Sequence, residues 1–350
     1  MEKYMLRKGI CVSFLIVNWN GKHLLDDCIQ SIQNLNFPKN QMEIILIDNG
    51  SKDGSYEFIR NKYPQIKIIR LQKNYGFPEA NNYGIKVAKG KYIAMVNNDV
   101  VLDRNWIKFL IEKMEKNKKI AAIGGKVLLW NEKNPAYNHN NQILCSWVKI
   151  NPITGLSYNF TYDLPYHKVD YLSGSAMLLR NSIFNKIGLF DKDYFAYYEE
   201  TEIAARLIRI GKWVVYHPQA ICWHKVSSTA MKIDLNFQPF MIERNRLRFV
   251  IKNFDKFYIL IFLEYFIVKL LKDSLKIVFN AIKNKLIFTS QEKKHSNYVF
   301  SLLVRFSFHS LKWNIINLFK TLHKRITERK ILKKTISYNK NLPLRNYGEL

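Results

Sequence analysis

Short apolar runs alternate with amphipathic segments through the first hundred residues. Val12–Val17 reads as a buried strand, and His23–Leu35 as a helix whose stripe is Leu24, Leu25, Cys28, Ile29 and Ile32. Glu43–Ile47 is a second strand and Ser55–Tyr63 a second helix. Ile66–Leu71 is a third strand, Ala80–Ala88 a third helix and Tyr92–Val96 a fourth strand. Alternation at this pace predicts an α/β fold, a mostly parallel sheet flanked by helices on both faces. Ligands of such sheets sit beyond the carboxyl ends of the strands.

Beyond Asn253 the pattern changes to long helical periods. Tyr258–Phe288 sets Phe262, Phe266, Leu270, Ile277 and Ala281 against Lys269, Lys272, Lys276, Asn280 and Lys283. Tyr298–Ile326 sets Phe300, Val304, Phe308, Leu311, Ile315, Leu318 and Leu322 against Arg305, His309, Lys312, Lys320 and Lys324. The sequence therefore divides into a domain at 1–253 and a basic amphipathic helical region at 254–350. No uninterrupted apolar stretch is long enough to predict a spanning helix, and Glu264 and Lys269 interrupt the most apolar one. The run Cys11–Val17 is too short for a signal peptide, and Asn18-Trp19-Asn20-Gly21 stands where a cleavage site would be.

Charge sharpens this division. The 350 residues carry a net charge of +27. Residues 1–240 hold 32 Lys and Arg against 21 acids, a net of +11, and residues 241–350 hold 23 against 7, a net of +16. The partner is expected to be anionic: a phosphorylated substrate, an anionic membrane surface or nucleic acid. No zinc finger, RNP-type motif or helix-turn-helix supports nucleic acid, although basic helices with aromatics leave a polyanion-binding protein as the alternative. Four widely spaced cysteines lack any Cys-x-x-Cys pair, and are expected to be reduced and structural, as in a cytosolic protein.

Polar residues gather at the predicted strand ends: Asn18-Trp19-Asn20-Gly21, Asp48-Asn49-Gly50-Ser51, and Asn97-Asn98-Asp99. A carboxylate such as Asp48 can accept from a base N–H or a ribose hydroxyl, but the same residue types serve turns and caps. Asp53-Gly54-Ser55 reads as turn and cap. Asn74–Gly84 lacks both the Walker lysine and the spaced glycines of a dinucleotide loop.

Asp48–Ser55, Asn74–Gly84 (NYGFPEANNYG), Asn97–Asp99, Gly174–Arg180 (GSAMLLR), Ile187–Asp191 (IGLFD), Tyr197–Arg206 (YYEETEIAAR) and Trp223-His224 follow one another in order. Together they resemble the family 2 glycosyltransferases of the GT-A fold, over roughly Val12–Asn253. Val17–Gly21 (VNWNG) is similar to the rhamnosyltransferase-like branch that builds bacterial surface polysaccharides. The resemblance implies an inverting transferase moving rhamnose, another hexose or an N-acetylhexosamine from a nucleotide-diphosphate donor to a glycan. A polyprenyl-diphosphate-linked glycan would be such an acceptor. It implies donor contacts at Val17, Asn18, Asn20, Asp48, Lys73, Gly76, Asn81, Asn82, Asn98, Gly174 and Ser175. It also implies a divalent cation, Mn2+ or Mg2+, held by Asp99 and His224.

The general base falls by position on Glu200, with Glu199 as the alternative; the family has Asp where this chain has Glu200. Trp19, Phe195, Tyr197 and Tyr198 are candidates for stacking on sugar rings. Glu202 reads as an i,i+4 partner of Arg206. The Gln-x-x-Arg-Trp motif of processive members is absent and Glu243-Arg244-Asn245-Arg246 stands instead, so non-processive transfer is expected. The basic helices suit either an anionic bilayer surface or a second subunit, that is, a peripheral protein on the inner face of the cell membrane or a homo-oligomer. Nucleic acid is not expected as a partner.

Overall fold

The computed structural model describes residues 9–130, 142–151, 153–225, 237–287 and 308–333. They form two compact units. The first takes the described residues up to 149 together with 157–225 and 330–333; the second takes 150–156 and the described residues of 237–329.

In the first unit the predicted alternation is present. β1 (Val12–Asn18), α1 (Lys22–Gln33), β2 (Met42–Asp48), α2 (Ser55–Lys62), β3 (Lys67–Arg70), α3 (Phe77–Val87) and β4 (Tyr92–Asn97) follow in order. α3 starts three residues ahead of the sequence expectation. Pro78 lies in its first turn, where its fixed φ suits a helix and its missing N–H is no loss. β4, β1, β2 and β3 are parallel neighbours, with Asn18 opposite Asp48 and Val17 opposite Asn97. Phe14, Ile16, Ile45, Ile47, Ile93 and Met95 are wholly buried. Each such side chain contributes roughly 1.5–3 kcal/mol relative to exposure.

Further strands, paired both antiparallel and parallel, complete the sheet. β5 (Val100–Leu102) and α4 (Trp106–Lys116) precede β6 (Ile120–Leu129); β7 (Ile143–Cys145) pairs with β6, and β8 (Trp147–Ile150) with β9 (Ser157–Phe160). β10 (His167–Lys168), β11 (Ala176–Arg180), α5 (Glu199–Arg209) and β12 (Trp213–His224) follow. The order across the sheet is β10-β12-β6-β11-β4-β1-β2-β3. Two consequences place the site. β11 runs antiparallel to β4 with Ala176 opposite Val96, so Gly174 and Ser175 arrive at the rim where β4 ends. β12 pairs antiparallel with β5, His224 opposite Val100, so its last residue meets Asp99. β12 reaches that point across a register shift between His217 and Ile221, where Gly125 of β6 faces Ala220. A Cβ on Gly125 would stand 1.6 Å from the Ala220 oxygen, so no other residue fits.

The second unit contains α6 (Phe237–Asn253), α7 (Lys256–Ile287), a helix over 308–316, and α8 (Leu318–Lys333), whose last residues belong to the first unit. The sequence reading set the domain boundary at Asn253, but α6 belongs with the helices. Its polar side chains are the reason: Arg248 donates to Thr321 Oγ1 (2.6 Å) and Lys252 pairs with Glu328 (2.7 Å). Of the long amphipathic segments, residues 288–307, including Phe300, Val304 and Arg305, lie outside the described residues. Among the described residues no helix is long and apolar enough to cross a membrane.

Candidate active site

The three polar strand ends meet. Asn98 Nδ2 donates to Asn18 Oδ1 (2.7 Å), and Asn18 Nδ2 to Ser51 Oγ (3.2 Å). The same hydroxyl accepts the Asn20 N–H (2.9 Å), while Asn20 Oδ1 accepts the Lys52 N–H (2.8 Å). Gly21 is required beneath this web, since a Cβ there would lie 2.3 Å from Asn98 Nδ2. Asp48 is fully buried; its Oδ1 accepts the Ser51 N–H (3.1 Å), and its Oδ2 is closed to solvent without a hydrogen-bond partner. A buried acceptor left unsatisfied costs about 1–3 kcal/mol, which marks it as waiting for a donor. Asp53 is structural, as expected: its carboxylate accepts the Lys22 and Ser55 N–H groups and so organises the starts of α1 and α2.

Asn49 ties this rim to the Asn74–Gly84 segment. Its amide donates to Asn74 Oδ1 (2.9 Å) and its oxygen accepts the Tyr75 N–H (2.9 Å). Gly50 has φ +79° and packs its Cα on the Lys73 backbone, 2.5 Å from where a Cβ would be. Lys73 itself is exposed, its ammonium 5.3 Å from the Tyr75 ring centroid. Asn81 and Asn82 are both buried, and their amides are engaged within the fold. Asn81 Nδ2 donates to Phe77 O (2.9 Å). Asn82 exchanges two hydrogen bonds with the Phe190 backbone (3.0 and 2.9 Å), so it is a strut to the loop ahead of α5 rather than a contact aimed at the rim.

That loop carries the acids. Phe77 N–H donates to Phe195 O (2.7 Å), and a Cβ on Gly76 would lie 2.5 Å from the same oxygen. Among the described residues four non-glycine residues have positive φ: Asn20 (51°), Phe195 (62°), Tyr197 (67°) and Tyr198 (70°). Left-handed backbone at non-glycine residues costs of order 1–3 kcal/mol each, and such strain clusters at functional sites. Tyr198 is buried in the core and offers no stacking face, whereas Trp19, Phe195 and Tyr197 stay half-buried.

Glu199 and Glu200 open α5. Glu199 is buried and Glu200 half-buried, and the Oε2 of each is closed off without a partner. Burial pushes the Glu200 carboxyl up to about 7; burial, followed by the charge of Glu200, pushes Glu199 well above the ordinary carboxylate range. The pair therefore keeps a proton at neutral pH, with Glu200 the more accessible member and the one poised there. Burial, reinforced by the same acids, pushes the Tyr197 hydroxyl up to about 12 and keeps it neutral. Gly174 faces Glu200, with its Cβ position 3.7 Å from the carboxyl carbon, so a glycine leaves the space before this carboxyl open. Glu202 pairs with Arg206 (2.7 Å) as read from the sequence, but this pair is buried, and Arg206 also donates to Ile187 O (2.6 Å).

Asp99 and His224 face each other, Oδ1 to Nε2, at 3.1 Å. Ser175 Oγ lies 3.4 Å from His224 Nδ1, and the Asp99 carbonyl accepts the Lys225 N–H (2.9 Å). Adjacent ligands of one octahedral Mg2+ or Mn2+, each at about 2.1 Å, stand about 3 Å apart, so this carboxylate and imidazole fit a shared cation. Among the described residues no group of three or more His, Cys, Asp or Glu could hold a metal ion. Asn97 was named in the strand-end run but given no role of its own, and its Oδ1 is buried without a partner. Its place in the Asn97-Asn98-Asp99 run was the available signal.

Residues 13–188, half of the chain, match the profile of Glycosyl transferase family 2. The chain belongs to this family. As a family 2 glycosyltransferase it is similar to the poly-β-1,6-N-acetyl-D-glucosamine synthase of Staphylococcus epidermidis, at 27% identity over 220 residues, 62% of this chain and 50% of the relative. It is similar to the synthase of the same name from Staphylococcus aureus strain COL at 26% identity over 220 residues, with the same coverage. The chain thus spans about half the length of the curated relatives it matches. These relatives are named for an N-acetyl-D-glucosamine polymer, and neither is a rhamnosyltransferase by name. Its fold is similar to that of GalNAc-T7, solved with UDP, GalNAc and Mn2+, at TM-score 0.54 and 18% identity over 69% of this chain and 48% of that one. The glycosyltransferase adopts the GT-A fold.

Proposed function

We propose that the chain is an inverting, non-processive glycosyltransferase that moves a sugar from a nucleotide-diphosphate donor to a hydroxyl of a surface-polysaccharide or glycolipid acceptor. The observation that carries this reading is the half-buried Glu200 carboxyl, poised near neutrality at the open space that Gly174 leaves. A base with a pKa near the working pH is the effective choice for accepting a hydroxyl proton. The acceptor O–H gives its proton to Glu200, the oxygen bonds to the anomeric carbon, and the bond from that carbon to the donor phosphate breaks with inversion. Neighbouring Glu199, protonated, holds the second carboxyl neutral and so spares Glu200 an adjacent charge.

Asp48, with its unpartnered Oδ2, is suited to a donor N–H of the base or a ribose hydroxyl, and Asn18, Asn20 and Asn98 form the floor beside it. Asp99 and His224 would hold Mn2+ or Mg2+, which supplies positive charge to the departing nucleoside diphosphate. Mn2+ is favoured by the imidazole. Named relatives that make an N-acetyl-D-glucosamine polymer, and a fold neighbour solved with UDP and GalNAc, favour a UDP-N-acetylhexosamine donor over the dTDP-rhamnose suggested by Val17–Gly21. The reaction is assigned to the cytoplasm, at the inner face of the cell membrane.

Replacing Glu200 by Gln tests the base. We expect kcat to fall by about 10²–10⁴ with donor affinity unchanged. Turnover in Glu200→Gln close to that of the unaltered chain would remove Glu200 from this role, and a matching loss in Glu199→Gln alone would transfer it.

A further inference from the structure

The helical unit buries polar residues beside its apolar ones and leaves a row of apolar residues outside. α6 buries Asn245, Arg246, Arg248, Lys252 and Asn253 almost completely. Arg246 holds Glu243 through Nε and Nη2 (2.9 and 2.5 Å), donates to Thr154 O and stacks its guanidinium over Phe262 and Phe266 of α7. On its other flank α6 is met by the helices at 308–333, and the face they present is polar. Asn314 Nδ2 donates to Arg244 O (3.0 Å), Thr321 Oγ1 accepts from Arg248, Arg325 donates to Ile251 O (2.5 Å) and Glu328 pairs with Lys252. Ser310, Asn314, Thr321 and Arg325 are buried polar positions of these two helices, and Leu332, near their end, is a buried apolar one.

The opposite face carries Phe308, Ile315, Phe319, Leu322 and Ile326, all exposed, Phe319 by 86%. Their spacing of seven, four, three and four residues is helical, and the row crosses the turn at Asn317 from one helix to the next. α7 also leaves an apolar row outside: Phe262 and Phe266 are buried while Phe257, Leu260, Leu263, Ile267, Leu271 and Leu275 are exposed along one face. Leaving each such side chain in water forgoes roughly 1.5–3 kcal/mol. Contiguous apolar faces of this size mark an interaction surface.

Charge identifies the occupant. Residues 308–333 hold seven Lys and Arg and one acid, Glu328, which is turned toward Lys252. Lys312 and Lys320 are exposed beside the stripe. A second copy would bring the same cations against their like, whereas anionic headgroups neutralise them at about 1 kcal/mol per basic residue. Polar packing inward and an apolar stripe beside lysines outward are the features of a helix lying in a bilayer interface. We propose that the face of Phe308, Ile315, Phe319, Leu322 and Ile326 seats on a phospholipid surface carrying anionic headgroups, with Lys312 and Lys320 on the phosphates. This holds whatever sugar the chain transfers.

The test is co-sedimentation of the full chain with phosphatidylcholine vesicles, with and without phosphatidylglycerol, alongside sedimentation velocity without lipid. Binding should require phosphatidylglycerol and weaken at least about tenfold, or 1.4 kcal/mol, in Phe319→Glu, whose exposed position leaves the packing untouched. The double variant Lys312→Gln and Lys320→Gln, which changes no apolar contact, should bind phosphatidylglycerol vesicles more weakly and with less salt sensitivity. No binding by the unaltered chain, or equal binding by Phe319→Glu, would overturn the proposal. So would a lipid-free dimer that Phe319→Glu splits, which would assign the stripe to a second copy.

Discussion

Two carboxyls next to each other at the start of α5, both cut off from hydrogen-bond partners at Oε2, are a cost the fold carries at a defined place. The cost depends on pH with a definite sign. The folded-state pKa of Glu200, about 7, lies above the unfolded value of 4.5, so the folded state binds the extra proton. The favourable contribution is complete below pH 4.5 and is lost as the pH rises through 7. Glu200→Gln removes the ionisation. The variant should come close to the unaltered chain in stability at pH 4 and exceed it at pH 8, by on the order of 3 kcal/mol. Thermal melts at the two pH values check this, and a difference that stays flat with pH would show that the carboxyl is not held in its neutral form by burial. Catalysis has the opposite sign, because the base acts deprotonated. The rate should climb through pH 7 while stability declines.

Between elements, the contact between α3 and the loop preceding α5 governs where the acids stand. Gly76, at φ +84°, presses on the Phe195 carbonyl, and Phe195 adopts a left-handed backbone itself. Gly76→Ala adds both a disfavoured φ and a collision with backbone, so it should destabilise the chain by about 1–3 kcal/mol. It should also lower kcat more than it raises KM, as the acid pair shifts away from the rim; urea titration and steady-state kinetics measure the two effects. Much of this architecture was legible in the sequence. The alternation of strands and helices gave β1 to β4 within a residue or two, because buried parallel strands are continuous apolar runs. The strand-end clusters at Asn18, Asp48 and Asn98 were correctly brought together, because a parallel sheet puts successive carboxyl ends on one rim. What local pattern did not carry were the long-range uses of polar side chains. Asn82 is absorbed by Phe190, over a hundred residues away, and Tyr198 turns into the core. The left-handed run at Phe195, Tyr197 and Tyr198 contains no glycine to announce it.

On the scale of the whole molecule, the basic C-terminal region was legible as amphipathic helices, but not which side would face inward. Periodicity reports two faces, and the partners of the buried arginines decide between them. α6 joins this unit for that reason, and its cohesion should depend on charges that sequence alone would assign to the surface. Lys252 is fully buried against Glu328, so Glu328→Gln removes a carboxylate from a buried ammonium. Breaking such a pair from one side costs about 3–5 kcal/mol. We expect a lower urea midpoint for Glu328→Gln, with Glu328→Asp retaining more of the stability. The central claim, that the acidic rim is a nucleotide-sugar site, is tested most directly by calorimetric titration of the full chain. UDP-N-acetylhexosamines, UDP-hexoses, dTDP-rhamnose and GDP-mannose would each be titrated with Mn2+ and without it. The account predicts Mn2+-dependent binding of one donor class, UDP-N-acetylhexosamines foremost, which is lost in Asp99→Ala. Binding of none of them, together with salt-sensitive binding to nucleic acid, would contradict it.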